Sequence, residues 1–465
     1  MLLWLRNDLR IHDNPALHFF LRHQTSKKKR KAIFFVSLKQ WRLHHWSDIK
    51  VDFILRHAYH LVKELASMNI KLDIVHVDTF EHQQKYISDY CSQHAISQVI
   101  ANAELEYNEQ QRDKKIAEQG VNLTLFEADV IVPKGNILTK SGTLFKVFTP
   151  FKRAWIKYVL LNGFEYLGKA TSDSTIAIAN TDATVKSSPS KSWPLAAKFE
   201  QEDLANFIRN KHIHYKSQRD IPSIKGTSGI SPYLAAGVIS PRYVLRLLLN
   251  NWPDLLLASD SENFSWLNEI IWREFYRHLL FHKPELSKNQ CFKPKYQQVS
   301  WHNNLEYFDA WKQGRTGYPI IDAAMRQLNT TGWMHNRLRM LTASFLTKHL
   351  LIDWRWGEQY FMEQLIDGDL AANNGGWQWS ASTGCDAQPY FRVFNPIKQS
   401  EKIDPFGRFI RMYIPELIDI GDKDIHFPHA YLKEHKLDIY WPAVVEHSKA
   451  RAMALAFYQS IEKSE

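Results

Sequence analysis

The run LLWL, at Leu2–Leu5, is short and wholly apolar, and a charged residue, Arg6, follows it at once. A run of this kind predicts a buried strand, and three more follow along the chain: AIFFV (Ala32–Val36), LDIVHV (Leu72–Val77) and QVIA (Gln98–Ala101). Segments with the period of an amphipathic helix separate these runs, as at Val51–Met68 and Thr79–His94. This alternation predicts βαβ units and therefore a Rossmann-like N-terminal α/β domain with a parallel sheet, over residues 1–130.

The pattern changes towards the middle of the chain. Residues 168–194 (GKATSDSTIAIANTDATVKSSPSKSWP) are rich in Ser, Thr, Ala and Pro, which favours an interdomain linker, placed at residues 131–194. Beyond it, apolar residues recur with a helical period at Phe264–His282, Tyr307–Gln313, Ile320–Leu328, Asn336–Leu351 and Glu358–Leu365. Residues 195–465 are therefore predicted to form a second, mainly α-helical C-terminal domain.

Composition and charge narrow the class of protein. Hydrophobic residues make up 45% and charged residues 23% of the 465, which is typical of a globular protein. The chain carries 59 Lys and Arg against 49 Asp and Glu, and this net charge of +10 favours a polyanionic partner, nucleic acid first. The three cysteines are far apart, which argues against a disulfide framework or a zinc site and fits a reducing compartment. We therefore expect a cytoplasmic protein without a signal peptide or membrane span.

A phosphate site is one of two interpretations of the stretch GTSGISPYLAAGVIS, at Gly226–Ser240. It places the hydroxyls of Thr227, Ser228 and Ser231 around a turn just before a predicted helix. Free N–H groups and hydroxyls at a helix start suit a phosphate, but an ordinary helix cap has the same composition. Neither a GxGxxG sequence nor a Walker A loop is present, so a Rossmann dinucleotide site and a P-loop lack their main support.

Two later segments combine charge with aromatic or apolar residues. In SWLNEIIWREFYRHLLFH, the residues Trp266, Glu269, Trp272 and Arg273 fall on one face of a helix, where they could stack a flat ring and bind its edge. In the segment 332–384, polar residues are dense among apolar ones, which indicates a lined cavity: Asn336, Arg339, Asp367, Asp369 and Asn373. The spacing places Met340 near Asn336 and Arg339 on a helix. The carboxylates lack nearby His or Cys partners, so no metal site is expected.

In these segments the chain resembles the photolyase/cryptochrome family, and most closely its class I cyclobutane pyrimidine dimer photolyases of bacteria. The resemblance runs nearly end to end; it begins with WLRNDLRIHDNPAL (Trp4–Leu17) and is densest from Trp266 to Pro396. It implies an α/β domain joined by a long linker to a helical domain that holds U-shaped FAD.

The resemblance also implies residue roles. FAD would be bound by Tyr215, Thr227, Ser228, Gly229, Ile230, Ser231, Trp266, Arg339, Asp367, Gly368, Asp369 and Asn373, with Asn373 facing flavin N5. The DNA or lesion surface would comprise Arg219, Glu269, Trp272, Arg273, Tyr276, Asn336, Arg337, Met340, Trp379, Arg392 and Gln399. Glu269 would hydrogen-bond the dimer. Trp301, Trp354 and Trp377 match the family's chain of redox tryptophans, which deliver electrons to oxidised flavin.

Subfamily and antenna follow from smaller differences. Asn373 argues against plant-type cryptochromes, which carry Asp at this position, and Gly229 stands where the family usually has a basic residue. Asn108 and Glu109 match the folate-contacting pair of relatives that use a methenyltetrahydrofolate antenna, while Lys39–Ile49 matches their binding loop only loosely. A 5,10-methenyltetrahydrofolate antenna is therefore favoured over a deazaflavin, and an empty antenna site stays open.

The implied reaction is light-driven repair: excited FADH⁻ donates an electron to a flipped-out pyrimidine dimer, the cyclobutane bonds break, and the electron returns. The expected partner is UV-damaged DNA, bound by a monomer. Two other classes stay open: a light-sensing cryptochrome of the same fold, and a flavin-free nucleic-acid-binding protein. Repair of a dimer would separate the first from a photolyase, and a colourless purified protein would support the second.

Overall fold

A computed structural model describes residues 1–23, 30–171 and 188–463. Its strands are β1 (Leu2–Leu5), β2 (Arg30–Val36), β3 (Ile70–His76), β4 (Val99–Asn102) and β5 (Leu123–Phe126). Its α-helices are α1 (Pro15–His23), α2 (Leu38–Leu43), α3 (Asp48–Ser67), α4 (Phe80–Gln93), α5 (Tyr107–Glu118), α6 (Phe148–Asn162), α7 (Ala196–Phe199), α8 (Tyr215–Gln218), α9 (Ser231–Ala235), α10 (Pro241–Asn251), α11 (Phe264–His282), α12 (Leu305–Lys312), α13 (Pro319–Thr331), α14 (Asn336–Ser344), α15 (Trp354–Gln364), α16 (Leu370–Ser380), α17 (Pro396–Ile403), α18 (Arg408–Tyr413), α19 (His429–Glu434) and α20 (His447–Lys463).

The chain forms two compact units. Unit 1 comprises Met1–His212, Ser228–Lys288 and Ile366–Ala371. Unit 2 comprises Ile213–Thr227, Asn289–Leu365 and Ala372–Glu465. The predicted boundaries at residues 130 and 194 stay a prediction, and residues 172–187 of the predicted linker lie outside the described residues.

Unit 1 is organised around a parallel five-stranded sheet in the order β3-β2-β1-β4-β5. All four residues of β1 are buried because this strand is central, and it pairs with β2 in the register Trp4↔Ile33. Helices cover parallel sheets on both faces, so such strands are wholly apolar rather than alternating. The predicted α/β fold with a parallel sheet is confirmed.

Helix α11 is anchored to the rest of unit 1 by a buried carboxylate. Glu274 is fully buried and accepts hydrogen bonds from Trp155 Nε1 at 2.6 Å, from Val132 N at 3.3 Å and from Ile131 N. Burial raises the pKa of Glu274 to about 7, which these donors oppose. The segment after the sheet is thereby fixed against α11.

Unit 2 is helical, as the sequence predicts for this part of the chain. Its core surrounds large rings, among them Trp311, Trp354, Trp377 and Tyr318. The predicted helix at Asn336–Leu351 is interrupted: α14 ends at Ser344 and a wider π-helical segment, Phe345–His349, continues it. No helix among residues 1–23, 30–171 and 188–463 is long and apolar enough to cross a membrane.

The three cysteines lie in the interior of the protein. Cys91, Cys291 and Cys385 are all described, each is buried, and none belongs to a disulfide. Arg355 donates a hydrogen bond to Cys291 Sγ at 3.3 Å, and burial raises the pKa of that thiol.

Candidate functional site

The less deeply buried side of α11 carries the charged and aromatic face predicted from the sequence. Glu269, Trp272, Arg273 and Tyr276 are half-buried, whereas the opposite side of the helix is packed into unit 1. Trp266 begins this face but is only 3% exposed, and its Nε1 donates to Ser228 Oγ at 3.3 Å. The helix therefore presents a carboxylate between aromatic rings at a partly accessible surface.

The ring of Trp272 is held by an aromatic stack. Phe148 lies parallel to it, with ring centroids 3.6 Å apart and an interplanar angle of 6°. Tyr276 lies one turn further along α11 with its centroid 5.7 Å away, and Phe275 meets Trp272 edge-on at 5.6 Å. Such packing fixes the orientation of the Trp272 ring. Phe148 carries no motif of its own, so sequence reasoning missed it.

The two arginines of α11 form hydrogen bonds and ion pairs with other residues of unit 1. Arg273 donates to the main-chain oxygen of Asp129 at 2.7 Å, and burial lowers its pKa to about 10. Arg277 donates to Asp129 Oδ2 at 2.6 Å and forms a second, short ion pair with Asp369. Arg273 is thus engaged by the protein, and its predicted contact with DNA or the lesion stays a prediction.

The turn predicted to bind phosphate has a backbone that suits glycine. Gly229 has φ +69°, in the left-handed region that costs a residue with Cβ free energy, so the backbone of this turn favours glycine. Ser228 Oγ accepts from Ile230 N at 3.4 Å, Ser231 begins α9, and Thr227 precedes them. The hydroxyl at Ser228 is thereby tied to the same turn.

The segment Asp367–Asp369 is held by two cations of unit 1. Lys50 Nζ donates to the main-chain oxygen of Gly368 at 2.7 Å, and Arg277 pairs with the carboxylate of Asp369. Asp367 is itself buried. No motif links Lys50 or Arg277 to this segment, so the sequence could not have pointed to them.

Helix α16 has one packed side and one open side. On the packed side, Asn374 Nδ2 donates to Glu358 Oε1 at 2.9 Å, and Gln378 Nε2 donates to Asn374 Oδ1 at 2.9 Å. On the other side Ala372 is exposed, and a Cβ built on Gly376 would meet no atom within 4 Å. Asn373 borders this space. A flat ring system fits such a face, because the residues there are small.

Asn373 is oriented by unit 2 itself. Its Nδ2 donates to the main-chain oxygen of Glu358 at 2.9 Å, which turns Oδ1 away from that carbonyl. Burial raises the pKa of Glu358 to about 7, and its hydrogen bond from Asn374 opposes that rise. The amide is therefore oriented as an acceptor for a donor on the open side.

The three predicted redox tryptophans lie in the core of unit 2. Trp354 and Trp377 are 0% and 2% exposed, and Trp301 is 9% exposed. Trp377 packs against Gly357 so closely that a Cβ there would lie 2.1 Å from its Cη2. Its ring centroid lies 6.0 Å from that of Trp311, a fully buried ring that the sequence analysis did not single out.

The residues predicted for the DNA surface of unit 2 differ in accessibility. Asn336 and Arg392 are exposed, whereas Met340, Gln399 and Trp379 are half-buried. Arg339, which is predicted to bind FAD, is half-buried as well. Arg337 forms a bidentate pair with Asp220, at 3.1 and 2.6 Å, and Arg219 lies over the buried ring of Tyr215. Lys348 Nζ donates to the main-chain oxygen of Arg392 at 3.0 Å, and burial lowers the pKa of this lysine to about 7.

The predicted antenna pair lies on α5. Asn108 is exposed and its Nδ2 lies 3.2 Å from His44 Nε2, while His44 Nδ1 lies 3.3 Å from Glu109 Oε1. Glu109 is buried, and its Oε2 has no hydrogen-bond partner among the described residues. A buried carboxylate oxygen without a donor is costly, so this site suits a ligand with N–H groups.

Aromatic rings lie on the segments that also supply His44 and Glu109, and two lysines lie over these rings. Trp41 and Trp46 stack with centroids 5.1 Å apart, and Lys50 Nζ lies 3.9 Å from the centroid of Trp46. Lys288 Nζ lies 3.5 Å from the centroid of Tyr107. The stretch Lys39–Ile49, which the sequence matched only loosely, thus supplies His44 to this site.

Comparison with known proteins gives full-length similarity. Residues 1–167 match the family model described as DNA photolyase, and residues 266–460 match the FAD binding domain of DNA photolyase. The deoxyribodipyrimidine photo-lyases of Vibrio cholerae and Escherichia coli are 43% and 42% identical to the chain, and each alignment covers 99% of both proteins.

Solved structures agree with these matches. A bacterial class III photolyase from Agrobacterium tumefaciens superposes with a TM-score of 0.81 at 33% identity, covering 99% of this chain and 97% of that one. A Synechocystis cryptochrome superposes with a TM-score of 0.82, covering 98% of each chain, but at 24% identity this likeness concerns the fold alone.

Proposed function

Because the chain belongs to the DNA photolyase family, we propose that Glu269, Trp272 and Tyr276 form the surface that receives the pyrimidine dimer. The enzyme repairs cyclobutane pyrimidine dimers in DNA with the energy of light, and FAD is its cofactor. When bound, reduced FAD supplies the photoexcited electron that splits the dimer. The residues of this chain bind FAD and the dimer, orient them and exclude water from the site.

The observation that carries this assignment is the face of α11. Glu269 lies one helical turn from Trp272 and Arg273, and Trp272 is held rigid by Phe148. A stacked ring binds the flat faces of pyrimidines, and a carboxylate accepts hydrogen bonds from their N–H groups. Trp379, half-buried in unit 2, is proposed as a second stacking ring.

FAD is proposed to be held by the residues that the resemblance names. The hydroxyls and N–H groups at Thr227–Ser231 suit its phosphates, and Asp367–Asp369 suits hydrogen-bond donors on the flavin ring. Asn373 is proposed to accept from the protonated N5 of reduced flavin, since its Nδ2 is engaged by Glu358. The open side of α16 at Gly376 leaves space for the ring.

Trp301, Trp354 and Trp377 are proposed to carry electrons to oxidised flavin. Their burial excludes water from the indole rings, and Trp301 is the most exposed of the three, as an entry point for an external reductant requires. Electron supply and dimer repair are then separate activities of the same protein.

The antenna is proposed to be 5,10-methenyltetrahydrofolate, bound at Asn108 and Glu109. The support is the buried Glu109 Oε2, which lacks a donor among the described residues and suits the N–H groups of a pterin. A deazaflavin, or no antenna, is the alternative. The absorption spectrum of the chromophore released from purified protein decides between them, and Glu109→Ala is expected to abolish retention of a folate.

DNA is proposed to bind through phosphate contacts of Arg219, Arg337 and Arg392, with Asn336, Met340, Gln399 and Arg273 near the lesion. The net charge of +10 supports this polyanionic partner. We also propose a cytoplasmic monomer. Light scattering of the purified protein measures the oligomeric state.

The decisive experiment uses purified, reduced protein and a UV-irradiated thymine oligonucleotide. Blue light is expected to restore thymine absorbance, and a dark control is expected to leave the dimers intact. A protein that retains FAD but restores no absorbance would contradict dimer repair. The same assay on (6-4) lesions would then separate a different repair specificity from a photoreceptor.

A further inference from the structure

Lys50 is a buried lysine that reaches the main chain of the segment Asp367–Asp369 from the antenna side of unit 1. The residue lies in the first turn of α3 and is 5% exposed. Its Nζ donates to the main-chain oxygen of Gly368 at 2.7 Å and lies 3.9 Å from the centroid of the Trp46 ring. One ammonium group therefore contacts both the segment proposed to line the flavin and Trp46, two residues after the His44 that contacts the proposed antenna residues.

The surroundings of Lys50 are acidic. Burial lowers the pKa of Lys50 to about 8, and the negative charges of Asp369, Glu106, Asp367 and Glu109 oppose this shift. An ammonium group buried without such compensation would be strongly unfavourable. At neutral pH the group is therefore a buried cation whose hydrogen bond goes to a peptide carbonyl.

A second cation holds the next residue of the segment. Arg277, from α11, pairs with the carboxylate of Asp369 and with Asp129 Oδ2, the latter at 2.6 Å. The peptide group between Gly368 and Asp369 is thus fixed at its oxygen by Lys50 and at the following side chain by Arg277. A cation at a carbonyl oxygen also polarises the peptide group, which makes its N–H a stronger donor.

We propose that Lys50 is a positioning residue of the flavin site. It fixes and polarises the Gly368–Asp369 peptide group, and its positive charge favours the anionic reduced flavin over the oxidised form. This inference rests on the proposed role of Asp367–Asp369 in binding FAD. Lys50 acts through the segment and is not itself a catalytic residue.

The test compares Lys50→Met, which keeps the length but removes charge and donor, with Lys50→Gln, which keeps an N–H donor without charge. Lys71→Met is the matched control, because that lysine also lies in unit 1 but is largely exposed and pairs with Asp73. All variants are purified with FAD. The dissociation rate of FAD and the midpoint potential of the bound flavin are then measured.

Lys50→Met is expected to release FAD about tenfold faster, the factor that corresponds to one hydrogen bond of ordinary net strength. Its midpoint potential is expected to fall, because the reduced anion loses a nearby cation. Lys50→Gln is expected to lower the potential equally while releasing FAD more slowly than Lys50→Met. Lys71→Met is expected to match the parent chain in both measurements.

An unchanged potential and an unchanged rate in Lys50→Met would overturn the proposal. If that variant does not fold, an unchanged potential in Lys50→Gln does the same. A loss of stability alone would not move the potential of flavin that is still bound, so a merely structural role is distinguished. Failure of the proposed function is seen separately, as a parent chain that binds no FAD or repairs no dimer.

Discussion

Glu269 carries the sharpest prediction for a single side chain. Glu269→Ala removes the carboxylate from the half-buried face of α11 without disturbing its packed side. We expect repair of dimers to slow about tenfold, because one hydrogen bond to the lesion is lost. Bound FAD, measured by absorbance, is expected to stay unchanged.

The matched control is Glu434→Ala, an exposed carboxylate at the end of α19. It is expected to repair dimers at the rate of the parent chain. Equal rates for Glu269→Ala and the control would remove Glu269 from the lesion surface.

Trp301→Phe tests the proposed electron path. The substitution keeps an aromatic ring in the core but replaces the indole with a phenyl ring, which is much harder to oxidise. Photoreduction of oxidised flavin is therefore expected to stop. Repair by chemically reduced protein is expected to continue at the normal rate. Trp356 is a partly buried ring packed against the same core. Trp356→Phe, the control, should change neither photoreduction nor repair. Loss of repair in pre-reduced Trp301→Phe would instead assign Trp301 a structural role.

His212 offers a test of stability and its dependence on pH. Neither ring nitrogen has a hydrogen-bond partner among the described residues, and the ring stacks on Trp252 with centroids 4.1 Å apart. Burial lowers the pKa of His212 from 6.5 to about 4. Between pH 6.5 and about 4, the unfolded chain therefore binds a proton at His212 that the folded chain does not bind. The free energy of unfolding decreases as the pH falls through this window.

His212→Phe is therefore expected to stabilise the protein by about 1 kcal/mol at pH 7.5, because buried unpaired nitrogens are removed while the ring stack is kept. The gain should grow as the pH falls from 6.5 to 4. Urea unfolding at pH 7.5 and 5 measures it. An equal gain at both pH values would contradict the assigned pKa.

At the scale of elements, the helices α15 and α16 contain glycines with contrasting surroundings: Gly357 in α15 is tightly packed, and Gly376 in α16 faces open space. Gly376→Ala adds a methyl group to open space, so the apoprotein is expected to gain about 0.5–1 kcal/mol of helix stability. The same methyl group lies on the face proposed for the flavin, so FAD affinity is expected to fall. Urea unfolding of apoprotein and FAD titration measure the two effects.

Gly357→Ala is the contrasting substitution. Its Cβ would lie 2.1 Å from Trp377 Cη2, so α15 and the Trp377 ring cannot both keep their places. We expect a loss of about 1–3 kcal/mol from overpacking. A gain in stability for Gly357→Ala, or a gain in FAD affinity for Gly376→Ala, would contradict the assigned faces.

The elements also show what the sequence could and could not reveal. Largely apolar runs predicted β1 to β4. Strands β1, β2 and β4 are mostly buried, whereas β3 lies at a sheet edge with Lys71 and His76 exposed and was recognised from its remaining apolar residues. The strand β5, at the other edge, was missed, since its four residues are partly exposed. The face of α11 followed from helical spacing. Lys50 and Phe148 were missed because their partners, Gly368 and Trp272, lie far away in sequence, and no local pattern records such a contact.

For the whole molecule, the positive net charge predicts that the affinity for DNA depends on the salt concentration. The chain carries +10, so affinity for irradiated DNA is expected to fall linearly on a logarithmic salt scale, with a slope of about −0.9 for each phosphate contacted. Arg392→Ala is expected to reduce the slope by about one contact. Lys85→Ala, an exposed charge on α4, should leave it unchanged. Identical slopes for both variants would place Arg392 away from DNA.

The three buried cysteines make the intact chain suitable for thiol-specific labelling. A maleimide dye reacts with accessible thiols, and Cys91, Cys291 and Cys385 are all enclosed. A cysteine introduced at an exposed position such as Lys402, on α17, should therefore be modified selectively with every native cysteine left in place. Energy transfer between that dye and a labelled oligonucleotide would then report docking and release of DNA during a flash of light.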